Sequence, residues 1–370
     1  MTEIDVFILG GGPAGCSIAL NLSPFFKVMM IDRNAVAQPR AGESLPPAAN
    51  KLLIDMGLWD DFLKQGHLPN YGNQSAWGTN TINETDFIRD PSGHGWHLDR
   101  QKFEIWLQKK AAERGCLFLR DTKMLDFHKN ENGFWEISIT NDSRVQKIKS
   151  RLIVDASGRN SFIARRLGAE RISLDNLVCG WMIGNDNPVN SIQGRSLIQA
   201  DLDGWWYTTS IPNNKRIIAF HTDAGIPAIS SIRSKRKLME LIQGNKDLEK
   251  HVCLETFSKS FDQMEYGTTA ANSSVTKPFT GDSWLTVGDA SFSFDPLSSQ
   301  GIFNAMYTGL AAAESCYRFL NKEIDDFQEY DSVLKNVVKV YQNRIYHWYA
   351  MEKRWEESEF WKNRHQKIEV

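Results

Sequence analysis

Gly10, Gly12 and Gly15 carry the most specific chemistry in this chain, because their spacing is the one by which a backbone cradles phosphate. The apolar run Val6-Phe7-Ile8-Leu9 leads into Gly10-Gly11-Gly12-Pro13-Ala14-Gly15. A helical run follows from Cys16 to Leu22, and a second apolar run, Val28-Met29-Met30-Ile31, closes on Asp32-Arg33. Gly10 permits a tight turn, Gly12 lets a pyrophosphate approach the backbone, and Gly15 lets the helix pack against the strand. The free N–H groups of the helix start, with Pro13 and Ala14 in the turn, then face the phosphates. Asp32 can accept from a ribose hydroxyl. The order strand, glycine turn, helix, strand, acid points to a dinucleotide site.

Two more polar turns follow apolar strands. One is Asp155-Ala156-Ser157-Gly158-Arg159, and the other is Gly288-Asp289-Ala290, which continues into Asp295-Pro296-Leu297-Ser298-Ser299-Gln300-Gly301. In an open parallel sheet such turns gather at the carboxyl ends of the strands, where ligands bind. Asp289 is placed to hold a sugar or ribityl hydroxyl; its competing role is a helix cap. The turn from Pro296 to Gly301 precedes a helix, so its N–H groups can face an electron-rich ring or a carbonyl. Glu43, His97 and His221 are the candidates for proton handling, each with a plain structural role as the competing reading. Trp77, Trp96, Trp205, Trp206 and Tyr207 either sandwich an aromatic guest or fill the seam beside the nucleotide site. Trp205 and Tyr207 stand with Glu43 and His97 as the candidate catalytic residues.

The elements that must position these groups are legible in outline. After Asp32 comes a loop through Arg40-Ala41-Gly42-Glu43-Ser44, then a helix from about Ala48 to Met56. Residues 67–97 read as irregular. Asp99-Arg100 opens a helix with Phe103, Trp106, Leu107 and Ala111 at helical spacing, and Gly115 stops it. Alternating runs at Thr122–His128 and Gly133–Thr140 predict an antiparallel pair. Residues 176–275 read as short alternating strands with one wet face. Everything from Asp325 onward reads as helical, and Tyr341, Ile345, Trp348, Tyr349, Trp355, Phe360 and Trp361 form one apolar stripe. The expected fold class is α/β: a discontinuous nucleotide domain (1–70, 98–175 and 276–320), an inserted antiparallel-sheet substrate domain (71–97 and 176–275) and a C-terminal helical segment (321–370).

Composition narrows the function classes. The chain has 370 residues and a formal net charge of −2, with no basic block that would favour nucleic acid or a membrane surface. No apolar run approaches a membrane span, no signal peptide precedes the first strand, and the five cysteines are scattered without metal-ligand spacing. A cytoplasmic protein with reduced thiols and no metal site is expected.

Five motifs taken together resemble the FAD-dependent aromatic hydroxylase and halogenase superfamily. They are Gly10-x-Gly12-x-x-Gly15, Asp32-Arg33, Arg40-x-Gly42-Glu43-Ser44, Asp155-Ala156-Ser157-Gly158-Arg159, and Gly288-Asp289-Ala290 with Asp295-Pro296-Leu297. The resemblance implies a Rossmann-type FAD domain. In it Asp32 binds the adenosine ribose, Arg33 lies by the adenine and Arg40 and Arg100 reach the phosphates or the flavin linker. Asp289 sits at the pyrophosphate–ribityl region, and Pro296, Ser299, Gln300 and Gly301 line the isoalloxazine. For Arg40 and Arg100 a solvated surface charge is the competing reading. Flavin-dependent tryptophan halogenases share Gly42-Glu43-Ser44-x-Pro46 but use a lysine some thirty residues later, where this chain has Tyr71 to Trp77; without it halogenation lacks its chemical means. The runs Gly204-Trp205-Trp206-Tyr207 and Asp295–Gly301 are similar to those of the small flavoproteins that mature quinone-cofactor amino-acid oxidases, the LodB/GoxB-like group. That likeness implies a protein substrate: a tryptophan side chain of a precursor oxidase, hydroxylated through a flavin hydroperoxide on the way to cysteine tryptophylquinone. NAD(P)H or a separate flavin reductase would supply electrons. A hydroxylase of a free small aromatic, a flavin-dependent isoprenoid reductase and a flavoprotein chaperone of the precursor stay open as alternatives.

Overall fold

The computed structural model describes residues 1–38, 40–141, 144–187 and 194–366. Its first sheet is built from β1 (Thr2–Leu9), followed by helix α1 (Pro13–Leu22), β2 (Val28–Ile31), helix α2 (Arg100–Glu113), β3 (Leu117–Leu119) and β4 (Arg144–Asp155). The parallel order across the sheet is Trp284–Thr286, β4, β1, β2, β3. Val6, Phe7 and Ile8 in β1 are all fully buried, as a parallel strand covered on both faces requires. Val6 and Ile8 pack with α1 and α2, while Phe7 packs on the other face with Ile137 and Ile148. The hairpin Lys123–Lys129/Trp135–Asn141 pairs onto β4 and supplies that second face.

The second sheet has seven strands in the order Glu265–Ala270, β5 (Leu177–Asn185), β8 (Lys215–Asp223), β7 (Gly204–Ile211), β6 (Arg195–Asp201), Gly72–Ala76 and Asn83–Asp86. All pairings are antiparallel except Gly72–Ala76 with β6. The stretch read as irregular from the sequence therefore holds strands. Gly72-Asn73-Gln74-Ser75-Ala76 has no β-branched or aromatic residue, so its pairing with β6 is a tertiary gain that local propensity does not foretell. Alternation along β7 sends Trp205 and Trp206 to opposite faces, Trp206 into a core with Phe220 and Leu238. The helix Lys235–Gly244, which buries Leu238, Met239 and Ile242, covers that face; the reading of 176–275 as strands alone missed it.

Helix α3 (Gly301–Leu320) returns the chain to the first sheet and lies hard against α1. A Cβ built on Gly309 would stand 2.6 Å from the Ala14 carbonyl oxygen, so glycine is required at this crossing. The C-terminal residues form two helices, α4 (Gln328–Ala350) and α5 (Glu359–His365). The apolar stripe is thus split by a turn. Phe360 and Trp361 are fully buried against Trp77 and Trp205, Trp355 is partly buried beside them, and Trp348 is 52% exposed. Among the described residues no helix is long and apolar enough to cross a membrane.

Candidate functional site

The glycine turn does what its spacing dictates. Gly10 has φ +118°, and a Cβ there would lie 2.2 Å from the Ala156 carbonyl oxygen. A Cβ on Gly15 would lie 2.0 Å from the Gly10 carbonyl oxygen. At Gly12 the opposite holds: a Cβ would meet nothing within 4 Å, because this position faces open space. Gly12 is the N-cap of α1, with no capping side chain and no acid in the first turn, so the helix N–H groups are left for a ligand. Asp32 Oδ2 accepts from the Gly11 N–H at 2.9 Å and Oδ1 from the Asn34 N–H at 2.8 Å, which fixes the carboxylate beside the turn.

That open space is a cavity of about 820 Å³. It is lined by the nucleotide-side residues Gly12, Pro13, Ala14, Asp32, Arg33, Lys123 and Asp289, by Pro296, Ser299 and Gly301, and by the sheet residues Trp205, Tyr207 and His221. Arg40, Gly42, Glu43, Ser44 and Arg100 line it too. The two arginines converge on Glu104, a buried carboxylate on α2. Arg100 donates through Nε at 2.7 Å, and Arg40 stands at 3.4 Å with its side chain 47% exposed. Arg100 also donates to the Gly42 carbonyl at 2.9 Å, tying the loop to the helix whose N-cap is Asp99. Arg100 is therefore no loose surface charge, whereas Arg40 stays exposed with one long ion pair.

Several expected site residues sit elsewhere. Asp155 is fully buried and does not line the cavity. Its Oδ1 accepts from the Ser157 N–H and hydroxyl, and its Oδ2 from the Ile163 and Ala164 N–H groups, so it anchors a short helix instead of a ligand. Gly15 and Gly288 act by packing and not by lining: a Cβ on Gly288 would stand 2.8 Å from the Ala14 Cβ. Gln300 is the N-cap residue of α3 and is not among the cavity-lining residues. His97 is buried in a polar network. Its Nε2 lies 3.0 Å from the Ser196 hydroxyl, and the Thr209 hydroxyl lies 3.1 Å from the ring; burial drops its pKa to about 3, so it is a neutral support. Among the described residues its hydrogen-bonded path to the cavity runs through Ser196, Ser44 and Tyr207, whose hydroxyl is 3.0 Å from that of Ser44. Trp77, Trp96 and Trp206 are core residues and do not line the cavity.

The sheet wall is aromatic. The Trp205 and His221 rings stack at 3.6 Å and 7°, and the His221 pKa is pushed by burial to about 3, leaving a neutral imidazole whose Nδ1 has no partner among the described residues. Glu43 stands out chemically. Its side chain is 1% exposed, and neither carboxyl oxygen has a hydrogen-bond partner among the described residues. Burial raises its pKa to about 7, against smaller lowering effects from the Gly42 and Glu43 N–H groups, which lie near the carboxyl without reaching hydrogen-bond geometry, and from Arg100. Burial and then the Glu43 charge push the Tyr207 phenol above its ordinary range. A neutral-range carboxyl without a protein partner, in a cavity with an aromatic wall, is poised to exchange a proton with a bound guest.

Three supports were not singled out from the sequence. Glu104 pairs the two arginines. Gln108 donates from Nε2 to the Gly11 carbonyl at 2.8 Å and holds the glycine turn. Arg171 is a six-partner hub: it donates to the Asp289 and Ala290 carbonyls and to the hydroxyls of Ser161, Ser274, Thr276 and Ser293. The signal available was the run of serine and threonine in strands that should be apolar. Arg171→Met removes a donor from these neutral groups, whose hydroxyls keep one another and the Ala290 carbonyl as partners, and is expected to cost about 1–3 kcal/mol, read as a lower midpoint in urea unfolding.

Comparison with known proteins supports the geometry. The family described as FAD binding domain matches residues 3–315. LodB of Marinomonas mediterranea, a protein assigned as an FAD-dependent oxidoreductase, is 27% identical over 372 residues, covering 99% of this chain and 98% of its own. The 1H-pyrrole-2-carbonyl-[peptidyl-carrier protein] brominase of Pseudoalteromonas luteoviolacea is 25% identical over 84% of this chain and 76% of its own. Among solved structures, the myxobacterial chondrochloren halogenase CndH superposes with a TM-score of 0.88 at 21% identity, covering 100% of this chain and 87% of that one.

Proposed function

This chain belongs to the FAD-binding-domain family and is an FAD-dependent oxidoreductase, and from that premise we propose that it is a monooxygenase that hydroxylates a tryptophan side chain of a partner oxidase precursor during cysteine tryptophylquinone formation. The observation that carries the chemistry is the buried, unpartnered carboxyl of Glu43 in the same cavity as Trp205, Tyr207 and His221. The residues suit FAD: the bare N-terminus of α1 and the open space at Gly12 would take the pyrophosphate, Asp32 would accept from the ribose, and Asp289 would hold the ribityl region. Pro296, Ser299 and Gly301 would line the ring. When bound, FAD that has received electrons from NAD(P)H or a separate reductase would supply oxygen in electrophilic form.

The chain's own residues complete the reaction. Trp205 and Tyr207, on the aromatic wall of the cavity, would hold the guest ring. The ring carbon that gains oxygen must then lose its proton, and the Glu43 carboxylate accepts it. Ser44, hydrogen-bonded to Tyr207 and backed by His97, sets the phenol's position. Halogenation finds no support in the charges present: Lys123 is the one lysine lining the cavity among the described residues, and it stands on the nucleotide side. The protein substrate is favoured by the near full-length match to LodB together with the Gly204–Tyr207 and Asp295–Gly301 runs. We place the reaction in the cytoplasm.

Incubating the loaded enzyme, reductant and oxygen with a candidate precursor is expected to add one or two oxygens to a tryptophan, seen by peptide mass spectrometry. Unmodified precursor alongside oxygenation of free indoles would reject the protein substrate and favour a small-aromatic hydroxylase. Separately, Asp289→Ala is expected to lower FAD occupancy severalfold, because the side chain is 42% exposed toward the cavity and pairs only loosely with Arg159 at 3.8 Å. Full flavin loading of that variant would remove Asp289 from the site.

A further inference from the structure

Trp205 is tied to more than the cavity it lines. Its Nε1–H donates to the Tyr349 hydroxyl at 3.1 Å, and that hydroxyl donates to Asp295 Oδ2 at 2.7 Å. All three side chains are buried. An indole N–H donates and cannot accept, so this chain cannot carry protons into or out of the FAD cavity. What it can carry is an electron, because a phenol that loses an electron becomes strongly acidic and needs a base already in contact. Asp295 is that base, and burial lifts its carboxyl pKa to about 7. Tyr349 and Asp295 also line a second cavity of about 890 Å³, so the proton need not cross the FAD cavity. Beyond Tyr349 the Trp361 ring lies at 6.1 Å, and Trp355 stacks on Trp361 at 6.2 Å, under the Arg354 guanidinium at the half-exposed end.

We propose that Trp205, Tyr349 and Asp295 form a redox relay that drains one-electron oxidising equivalents from the FAD cavity toward Trp361 and Trp355 when no guest is bound. The oxidant is an oxygen-derived radical released as reduced flavin reoxidises without substrate. A hydroxyl or hydroperoxyl radical takes one electron from Trp205, becoming hydroxide or hydroperoxide, and leaves an indole radical cation. Tyr349 returns an electron to Trp205 and passes its phenol proton to Asp295, which leaves a neutral tyrosyl radical and a protonated carboxyl. A thiolate at Trp355 then gives up one electron, becoming a thiyl radical, and refills Tyr349 by way of Trp361, while Asp295 gives the proton back to the phenol. The relay protects the aromatic wall that the proposed reaction needs, yet it depends only on FAD and oxygen, not on the identity of the guest.

Two measurements test it on the FAD-loaded protein. A blue-light flash makes oxidised flavin a one-electron oxidant, and electron paramagnetic resonance is expected to show a tyrosyl radical that Tyr349→Phe abolishes and Asp295→Asn suppresses. An undiminished tyrosyl signal in Tyr349→Phe, or none in the wild type, overturns the relay. Repeated chemical reduction and reoxidation in air, with no guest, is expected to oxidise Trp205 severalfold faster in Tyr349→Phe, read by peptide mass spectrometry; equal oxidation in the two proteins overturns the protective role. Phenylalanine keeps the ring packing, and flavin absorbance with a melting curve shows that the variant is folded and loaded. Both readouts stand even if no precursor is ever oxygenated, so a failure here and a failure of the substrate assignment are distinguishable.

Discussion

Glu43→Gln lowers the rate of oxygen transfer to the guest by roughly 10²–10⁴-fold while leaving FAD occupancy and guest binding close to wild type. Glutamine fills the same space but cannot accept the ring proton. In the wild type the rate rises with pH through about 7, because only the ionised Glu43 acts as a base. Arg100, Tyr207 and Cys179 are the groups whose charges couple to it, and His221 and His97 stay neutral throughout this range; Asp295 also titrates near 7 but reaches the cavity only behind Tyr349 and Trp205, so the acid limb is assigned to Glu43 by its loss in Glu43→Gln. The same carboxyl leaves a thermodynamic signature. Its pKa is about 7 in the folded chain against an ordinary 4.5, so the folded state binds this proton more tightly. The stability associated with the neutral carboxyl is complete below pH 4.5 and is lost as pH rises through about 7, a swing of about 3 kcal/mol. Relative to wild type, Glu43→Gln is therefore expected to gain stability above pH 7 and little below pH 4.5, measured as the difference between urea midpoints at the two ends. A pH-independent difference, or a rate unaffected by the substitution, would reject Glu43 as the base.

The parts of this site that could be read from the sequence are those fixed by local backbone geometry. The glycine turn announces itself because Gly10 and Gly15 are positions where any side chain would strike backbone, and Asp99 announces α2 because an aspartate before a helical run caps it. Long-range partners leave no such local mark. His97 reads as a proton handler from residue type alone, and only the neighbouring Ser196 and Thr209 hydroxyls show it to be a buried neutral support. Asp155 reads as a ligand because it ends a strand; its four hydrogen bonds lie within the next nine residues, an anchoring pattern that a ligand motif conceals. Glu43 differs again. Its importance lies in what it lacks, and a missing partner is visible only when every neighbour has been placed. The strands at Gly72–Ala76 and the relay through Tyr349 belong to the same class, since each depends on segments more than a hundred residues apart.

Gly12→Val produces a folded protein that does not hold FAD. Two features separate this position from its neighbours in the turn. Its φ of −78° and ψ of −177° are extended backbone that valine adopts readily, and a Cβ there meets no atom within 4 Å. The substitution therefore costs the apo protein little, and its methyl groups project into the space that a pyrophosphate needs against the N–H groups of α1. Loss of even two charge-assisted N–H contacts, at about 1.5–3 kcal/mol each, weakens binding by about a hundredfold or more. Gly15→Ala is the necessary contrast. Its Cβ would have to displace the Gly10 carbonyl oxygen from 2.0 Å, so that variant loses flavin by disturbing the turn itself and its apo melting temperature falls. The expected pattern is a colourless Gly12→Val protein whose apo melting temperature matches the apo wild type, beside a destabilised Gly15→Ala protein. A yellow, stoichiometrically loaded Gly12→Val protein would mean that the phosphates lie elsewhere, and the placement of every other group along the cavity would have to be redrawn from that point.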